Sequence, residues 1–236
     1  GMHRLGFEKN NLDQILAIIN SKPNINVVSI FSHLAGADNP SLDKHTHKQI
    51  NDFNGICLEF EEKSKLKPLK HLANSAGIER FQEAKMNMVR LGIGLYGISP
   101  SQVNTRLLPV SSFKSYISQI RNIPAGEGVG YGYMEKADYP RKIAVVAVGY
   151  ADGYSRAFGC GVGSLLINGQ LAKVVGNVCM DMTMCDVTSI SCSKEDEVII
   201  FGDNPKVEEL SQQINTIPYE ILTNISERVN RIFFQE

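Results

Sequence analysis

The apolar positions of the first hundred residues follow helical and strand-like spacing in turn. Leu12, Leu16 and Ile19 recur every three or four positions, which predicts an amphipathic helix. Asn39 followed by Pro40 marks the start of a second helix, because asparagine caps helices and proline fits their first position. Further segments are predicted as strands at 24–33, 69–75 and 87–97, as a short helix at 76–84, and as a helical turn where 87–97 ends.

Strands that alternate with helices favour a parallel sheet with crossover connections. Three such strands leave a small sheet with open edges, whereas parallel sheets are normally covered on both faces. The first hundred residues therefore indicate part of a larger α/β unit.

Beyond residue 100 the pattern changes to short apolar runs separated by turn residues. Asn168-Gly169 between two such runs is a strong hairpin signal. Strands are predicted at 112–123, 141–150, 164–175, 177–187 and 197–202, and helices at 207–215 and 219–225. We therefore predict an α/β domain over 1–106 and a mainly-β domain over 107–236.

The glycine-rich stretch GEGVGYGY at 126–133 is not a nucleotide-binding loop. The dinucleotide fingerprint requires glycine at the first, third and sixth positions, and the sixth position here is Tyr131 or Tyr133. Its neighbours predict strands on both sides, not the strand and helix that a phosphate loop needs. The stretch is expected to form a turn between strands.

Composition narrows the classes of function. The 24 basic and 25 acidic residues nearly cancel, which argues against a nucleic-acid-binding protein. Since no apolar run reaches about 18 residues, no transmembrane helix is predicted. Five cysteines without a C-x-x-C pair favour free thiols in a reducing cytoplasm, and neither a disulfide framework nor a metal site is expected.

Eight short stretches, in order along nearly the whole chain, resemble alanine racemase. They are GMHRLGF (1–7), SHLAGAD (32–38), HLANSAG (71–77), MVRLGIGLYGISP (88–100), VGYGY (129–133), VGYADGYSR (148–156), VGNVCMDMTMCDV (175–187) and PYEILTNISERVNRIF (218–233). The resemblance implies a fold-type III enzyme of pyridoxal 5'-phosphate (PLP). It also implies the C-terminal part of a PLP-binding (β/α)8 TIM-type barrel followed by the family's C-terminal β-domain.

The implied activity is the interconversion of L-alanine and D-alanine for peptidoglycan synthesis, by two-base proton transfer on a PLP aldimine. The family forms homodimers in which the β-domain of one subunit completes the site of the other. The family's cofactor lysine, in a V-x-K-x-x-A-Y-G-like stretch, has no counterpart in these 236 residues. The chain is therefore expected to lack the N-terminal part of the barrel and to be inactive alone.

Three residues match the family's catalytic positions. Tyr131 matches the tyrosine base, and a tyrosine, whose pKa in water is about 10, needs cationic or hydrogen-bonding neighbours for that role. Arg90 matches the arginine facing the pyridine nitrogen, and His33 the histidine beside it. Without the resemblance, Tyr131 would be interpreted as a structural residue of a turn, and His33 as a hydrogen-bonded residue at the end of a strand. Tyr133 has no matched role.

The resemblance implies that the cofactor phosphate is bound by Ser75, Gly92, Ile93 and Tyr219, and that Asn74 supports Ser75. Glycine lets a backbone approach an anion, and N–H groups at a helix start favour negative charge. Gly92 and Ile93 lie where a strand is predicted to pass into a helical turn. An alternative interpretation makes Ser75 simply the cap of the following helix.

The remaining matches concern the substrate. Arg4 matches an arginine near the substrate carboxylate, and Met180 the residue whose backbone N–H holds that carboxylate. Otherwise a strand methionine fills a core. Tyr150, Arg156 and Asp181 match residues that line the access channel.

Two other functions stay open at this stage. One is a non-catalytic fragment that dimerises and binds cofactor phosphate. The other is part of a racemase of broader amino-acid range. The missing lysine favours the non-catalytic fragment over an active isolated chain. Assays with larger amino acids distinguish a racemase of broader range from one specific for alanine.

Overall fold

The computed structural model describes residues 1–101 and 107–234. The chain divides into two compact units, Gly1–Val110 and Ser111–Glu236. Our sequence boundary, after residue 106, lies outside the described residues. Each unit is considered by itself below.

The first unit alternates helices and strands, as predicted. Its α-helices and strands are α1 (Leu12–Ser21), β1 (Ser29–Phe31), α2 (Asp43–Ser64), β2 (Leu69–His71) and α3 (Ser75–Arg80). Asn39 and Pro40 open the second helical segment as expected, since the Asn39 side chain accepts a hydrogen bond from the Ser41 N–H and Pro40 is the first helical residue. That opening turn is a 3-10 helix, Pro40–Leu42, which runs into α2.

The core of the first unit lies along one face of α2. Ile50, Phe53, Cys57 and Phe60 recur every three or four residues and are all buried. Phe60 packs with Leu12 and Leu16 of α1, and the other three join a cluster beneath β2 and α3. This packing fixes the position of the strand ends from which the candidate site is built.

The sheet of the first unit pairs β1 with β2 in parallel, with Phe31 opposite His71. The strand predicted at 87–97 is wrong in extent, because it is reduced to a single parallel bridge between His71 and Met88. The Asn87 side chain accepts the hydrogen bond of the Lys70 N–H, which a strand backbone would otherwise receive. The helical turn that follows is present as a 3-10 helix, Ile93–Tyr96.

The second unit is mainly β, as predicted. Its elements are β3 (Phe113–Ile123), β4 (Arg141–Val146), β5 (Ser164–Ile167), β6 (Gln170–Lys173), β7 (Thr183–Asp186), β8 (Glu197–Phe201), α4 (Val207–Gln213) and α5 (Pro218–Thr223). The sheet order is β6-β5-β8-β3-β4-β7, and all its pairs are antiparallel. An antiparallel bridge between Val174 and Cys185 joins its two ends, so the sheet is a nearly closed barrel.

Two turns of this barrel bear on the sequence predictions. The predicted Asn168-Gly169 hairpin joins β5 to β6, and both residues have positive φ, as a two-residue hairpin requires. The strand predicted at 177–187 is shorter, because only β7 is regular. Before it the chain turns tightly against Gly149, where a Cβ would lie 2.3 Å from the carbonyl oxygen of Met180.

Candidate active site

Arg90 lies beyond the carboxyl ends of β1 and β2, where parallel α/β folds build their sites. Its guanidinium donates to the carbonyl oxygens of Ser32 at 2.6 Å, His71 at 3.1 Å and Leu72 at 3.4 Å. It also lies over the ring of Phe31, 5.4 Å from the centroid. These contacts cross-link the strand ends and hold the arginine in one orientation.

Two histidines face this guanidinium. Arg90 nitrogens lie 2.5 Å from Nδ1 of His71 and 3.3 Å from Nδ1 of His33. Burial and the charge of Arg90 lower the pKa of both imidazoles, and the charge of Arg4 lowers that of His33 further. Both rings are therefore held neutral beside a group that can only donate hydrogen bonds.

His71 has no role in our sequence analysis, although it contacts Arg90 directly. Its ring stacks on Phe31, with centroids 5.1 Å apart, and the side chain is buried. The available signal was its place inside the strand predicted at 69–75, whereas His33 ends the strand predicted at 24–33. Strand pairing was needed to show that both histidines reach the same arginine.

Ser75 begins α3 and is 4% exposed. Asn74, not Ser75, caps this helix, because its side-chain oxygen accepts the Gly77 N–H at 2.9 Å. The interpretation of Ser75 as the cap is therefore wrong. The Ser75 Oγ accepts hydrogen bonds from the N–H groups of Gly92 at 2.9 Å and Gly94 at 3.3 Å, which leaves its own hydroxyl proton to donate elsewhere.

The surroundings of Ser75 suit a phosphate. Gly92 precedes the 3-10 helix that starts at Ile93, and the first N–H groups of a helix have no acceptor within it. A Cβ placed on Gly92 would meet only the Ser75 oxygen within 4 Å, so the space beside it is open. The Ser75 hydroxyl, which the Gly92 and Gly94 amides hold in place, and the first amides of the 3-10 helix form a set of donors that matches an anion.

Tyr131 lies at the tip of the glycine-rich turn. An antiparallel bridge between Val129 and Met134 closes the turn, and Gly130 and Gly132 have φ of +73° and +79°. The Tyr131 side chain is 74% exposed. Tyr133 instead donates its hydroxyl to the Glu127 carboxylate, which raises the pKa of this tyrosine.

Tyr150, Met180 and Asp181 lie on two turns that are paired through their backbones. The Tyr150 N–H donates to the carbonyl of Cys179, and the Ala151 N–H to that of Met180, both at 3.0 Å. The structure thus brings these three predicted residues together within the second unit.

Arg228, which our sequence analysis did not select, fastens the same two turns. It donates to Oδ1 of Asp152 at 2.8 Å and to Oδ1 of Asp181 at 2.7 Å. These bonds raise the pKa of the guanidinium. Because its partners lie 76 and 47 residues away, nothing in the local pattern around Arg228 reveals the contact.

Arg156 and Tyr219 complete the predicted set in the second unit. Arg156 opens a 3-10 helix, and its Nη2 lies 3.4 Å from Oδ1 of Asn177. The same Asn177 contacts the backbone of Tyr131. Tyr219 lies in the first turn of α5 and is 44% exposed.

The described residues contain neither a cluster of metal ligands nor a membrane-spanning helix. Within residues 1–101 and 107–234, no three side chains of histidine, cysteine, aspartate or glutamate are grouped to hold a metal ion. No helix in the same part of the chain is long and apolar enough to cross a bilayer.

Comparison with known families decides the affiliation. Residues 1–100 match the family described as alanine racemase, N-terminal domain, and residues 110–233 match alanine racemase, C-terminal domain. The chain belongs to the alanine racemase family. The fold predicted from the sequence, part of the family's barrel followed by its β-domain, is thereby confirmed.

Individual alanine racemases align with nearly the whole chain. The alanine racemase of Clostridium tetani is 40% identical and aligns with 100% of this chain and 63% of its own length. Alanine racemase 1 of Oceanobacillus iheyensis is 36% identical, with 98% and 64% covered. The alanine racemase structure from Bartonella henselae, with covalently bound pyridoxal phosphate, is 30% identical, has a TM-score of 0.90, and is covered over 64% of its length. The chain thus spans slightly less than two thirds of these relatives.

Proposed function

We propose that the full-length protein containing this chain interconverts L-alanine and D-alanine with PLP. The observation that carries the proposal is the arrangement in the first unit. Arg90 is held at the strand ends, and Ser75, joined to the Gly92 and Gly94 amides, forms an anion-binding donor set. Relatives named alanine racemase align with both units.

The residues of the first unit suit the two ends of the cofactor. The Ser75 hydroxyl and the amides of Gly92 and Ile93 would hold the phosphate, with Tyr219 of the second unit as a further donor. Arg90 would donate a hydrogen bond to the pyridine nitrogen. When bound, PLP supplies an electron sink for the carbanion formed at the substrate Cα.

Arg90 limits what that electron sink can do. A guanidinium essentially never gives up its proton, so it donates to the ring nitrogen without protonating it. The lowered pKa values of His71 and His33 favour neutral imidazoles beside this donor. Less charge is then stored in the ring, which favours simple proton return over other reactions of amino acids.

Residues of the second unit would act on the substrate. Tyr131 would remove or return the Cα proton on one face, and the base for the other face is the family's cofactor lysine. The Met180 N–H, together with Arg4 of the first unit, would hold the carboxylate. Tyr150, Arg156 and Asp181 would line the access channel, with Asp181 fixed by Arg228.

The activity is tested on the full-length protein with PLP and L-alanine, L-serine or L-lysine, by measuring the D-enantiomer formed. We expect kcat/KM for alanine to exceed the other two by about tenfold or more, the discrimination of a tight pocket. Higher values for serine or lysine would identify a racemase of broader range. Bound PLP without turnover would instead favour a non-catalytic cofactor-binding protein.

We further propose a homodimer in which the β-domain of one subunit completes the site of the other. The test mixes two inactive variants, Arg90→Ala and Tyr131→Phe. If sites are shared, each mixed dimer has one site with both changes and one intact site. Random mixing should then restore about a quarter of the wild-type activity, since about half of the dimers are mixed. If each chain forms its own site, mixing restores nothing.

A further inference from the structure

We propose that Asn177 is a positioning residue for Tyr131, which rests on the function proposed above. Its side-chain amide holds the backbone of the tyrosine turn with one atom and contacts Arg156 with the other. Asn177 therefore links the candidate base to a candidate residue of the access channel.

The two partners determine the orientation of the amide. Nδ2 of Asn177 donates to the carbonyl oxygen of Tyr131 at 3.0 Å. Oδ1 faces Nη2 of Arg156 at 3.4 Å. A carbonyl can only accept and a guanidinium can only donate, so reversing the amide would break both contacts. The side chain has one arrangement that satisfies both neighbours.

The turn that carries Tyr131 needs support from outside. Gly130, Gly132 and Tyr133 all have positive φ, a conformation that persists where the surroundings impose it. The Tyr131 ring is 74% exposed, so packing of the ring contributes little to its position within this unit. The bond from Asn177 reaches the tip residue itself, whereas the bridge between Val129 and Met134 lies at the base of the turn.

The backbone beside Asn177 is itself firmly held. The Gly176 N–H donates to the Glu135 carboxylate, and the Gly176 carbonyl accepts the Cys160 N–H at 2.7 Å. Gly176 has φ of +66°, and a Cβ there would lie 2.6 Å from the Val129 carbonyl oxygen. Asn177 thus extends from a rigid support and can transmit that rigidity to the turn.

Two variants separate the contacts. Asn177→Ala removes both of them, together with the 4.0 Å contact between the Cys160 thiol and Oδ1. Asn177→Asp keeps an oxygen for Arg156 but loses the N–H that Tyr131 receives, and places a carboxylate against a carbonyl. Asn168→Ala is the matched control, because Asn168 likewise fastens a hairpin tip, through Nδ2 to Ser191 and Asp196.

The variants are compared in the full-length holoenzyme by two measurements. The first is backbone amide hydrogen exchange of the peptide 126–135. The second is deuterium uptake from solvent at Cα of L-alanine and of D-alanine, expressed as a ratio. A general loss of stability lowers both uptake rates together, whereas a displaced Tyr131 changes their ratio.

We expect both Asn177 variants to speed amide exchange in 126–135 and to shift the uptake ratio by about three- to tenfold, the effect of one lost hydrogen bond. Asn168→Ala should lower Tm without shifting the ratio. If Asn177→Ala does not fold, Asn177→Asp carries the test. An unchanged ratio and unchanged exchange, or a shift no larger than that of Asn168→Ala, would overturn the positioning role.

The result also separates this inference from the function on which it rests. If Tyr131→Phe leaves the uptake ratio at its wild-type value, the catalytic assignment of Tyr131 fails. If Tyr131→Phe changes the ratio but the Asn177 variants do not, only the positioning role fails.

Discussion

Replacing Tyr131 with phenylalanine is expected to lower racemisation in the full-length enzyme by about a thousandfold, within the range that general acid–base catalysis supplies. Only the hydroxyl is lost, and the Asn177 bond to the Tyr131 backbone is unaffected. PLP affinity should therefore stay at the wild-type value. Because the two enantiomers have equal free energy, kcat/KM must fall equally in both directions.

The asymmetry of a two-base mechanism appears instead in proton exchange. Without the Tyr131 hydroxyl, Cα deuterium uptake should be lost for the enantiomer that this tyrosine serves and persist for the other. Tyr133→Phe is the matched control, since it removes a tyrosine hydroxyl from the same turn and breaks that hydroxyl's contacts with the Glu127 side chain and the Gly128 backbone. Mild and equal losses of uptake for both enantiomers would show that Tyr131 is not the base.

Replacing Arg90 with alanine is expected to have the second largest effect. The change removes the donor proposed for the pyridine nitrogen and leaves the carbonyl oxygens of Ser32 and His71 without a charged partner. We expect kcat to fall about a hundredfold and PLP affinity about tenfold, as for the loss of a preorganised charged donor. Spectroscopic titration with PLP measures the affinity, and racemisation of L-alanine measures kcat.

Arg80→Ala controls for the loss of a structural arginine. Arg80 belongs to the same unit, donates to the Ala37 carbonyl and pairs with both carboxylate oxygens of Asp43. The Arg80→Ala substitution should lower Tm while PLP affinity stays unchanged. Arg90→Lys should recover only part of the loss, because an ammonium keeps the charge but not the planar fork. PLP affinity and kcat that survive in Arg90→Ala would contradict the assigned role.

Features that depend on neighbouring residues were predicted well. The cap of Asn39, the proline that follows it and the Asn168-Gly169 hairpin all occur as expected, because each is set by the conformational preferences of two or three adjacent residues. The change from alternating helices and strands to a mainly-β domain was also visible, since side-chain periodicity reports which face is buried.

Predictions that depended on distant partners were less reliable. The third strand is wrong in extent because the Lys70 N–H donates to the Asn87 side chain instead of a backbone carbonyl, although the Asn87 N–H still donates to the Lys70 carbonyl. Ser75 was left between two roles, and the contact of Asn74 with Gly77 excludes the role of helix cap. The catalytic, cofactor and substrate residues came from family motifs and stay predictions for the experiments above.

The sequence alone determines the succession of elements, the family and the residues that carry its motifs. Each of these depends on a local pattern or on short stretches in a fixed order. Only the tertiary structure reveals His71 against Arg90, Arg228 across Asp152 and Asp181, and Asn177 against Tyr131. These contacts join residues 19 to 76 positions apart, and their geometry depends on strand pairing and turn packing. Side-chain hydrogen bonds extend only about 3 Å, so they form only after the fold has brought both partners together.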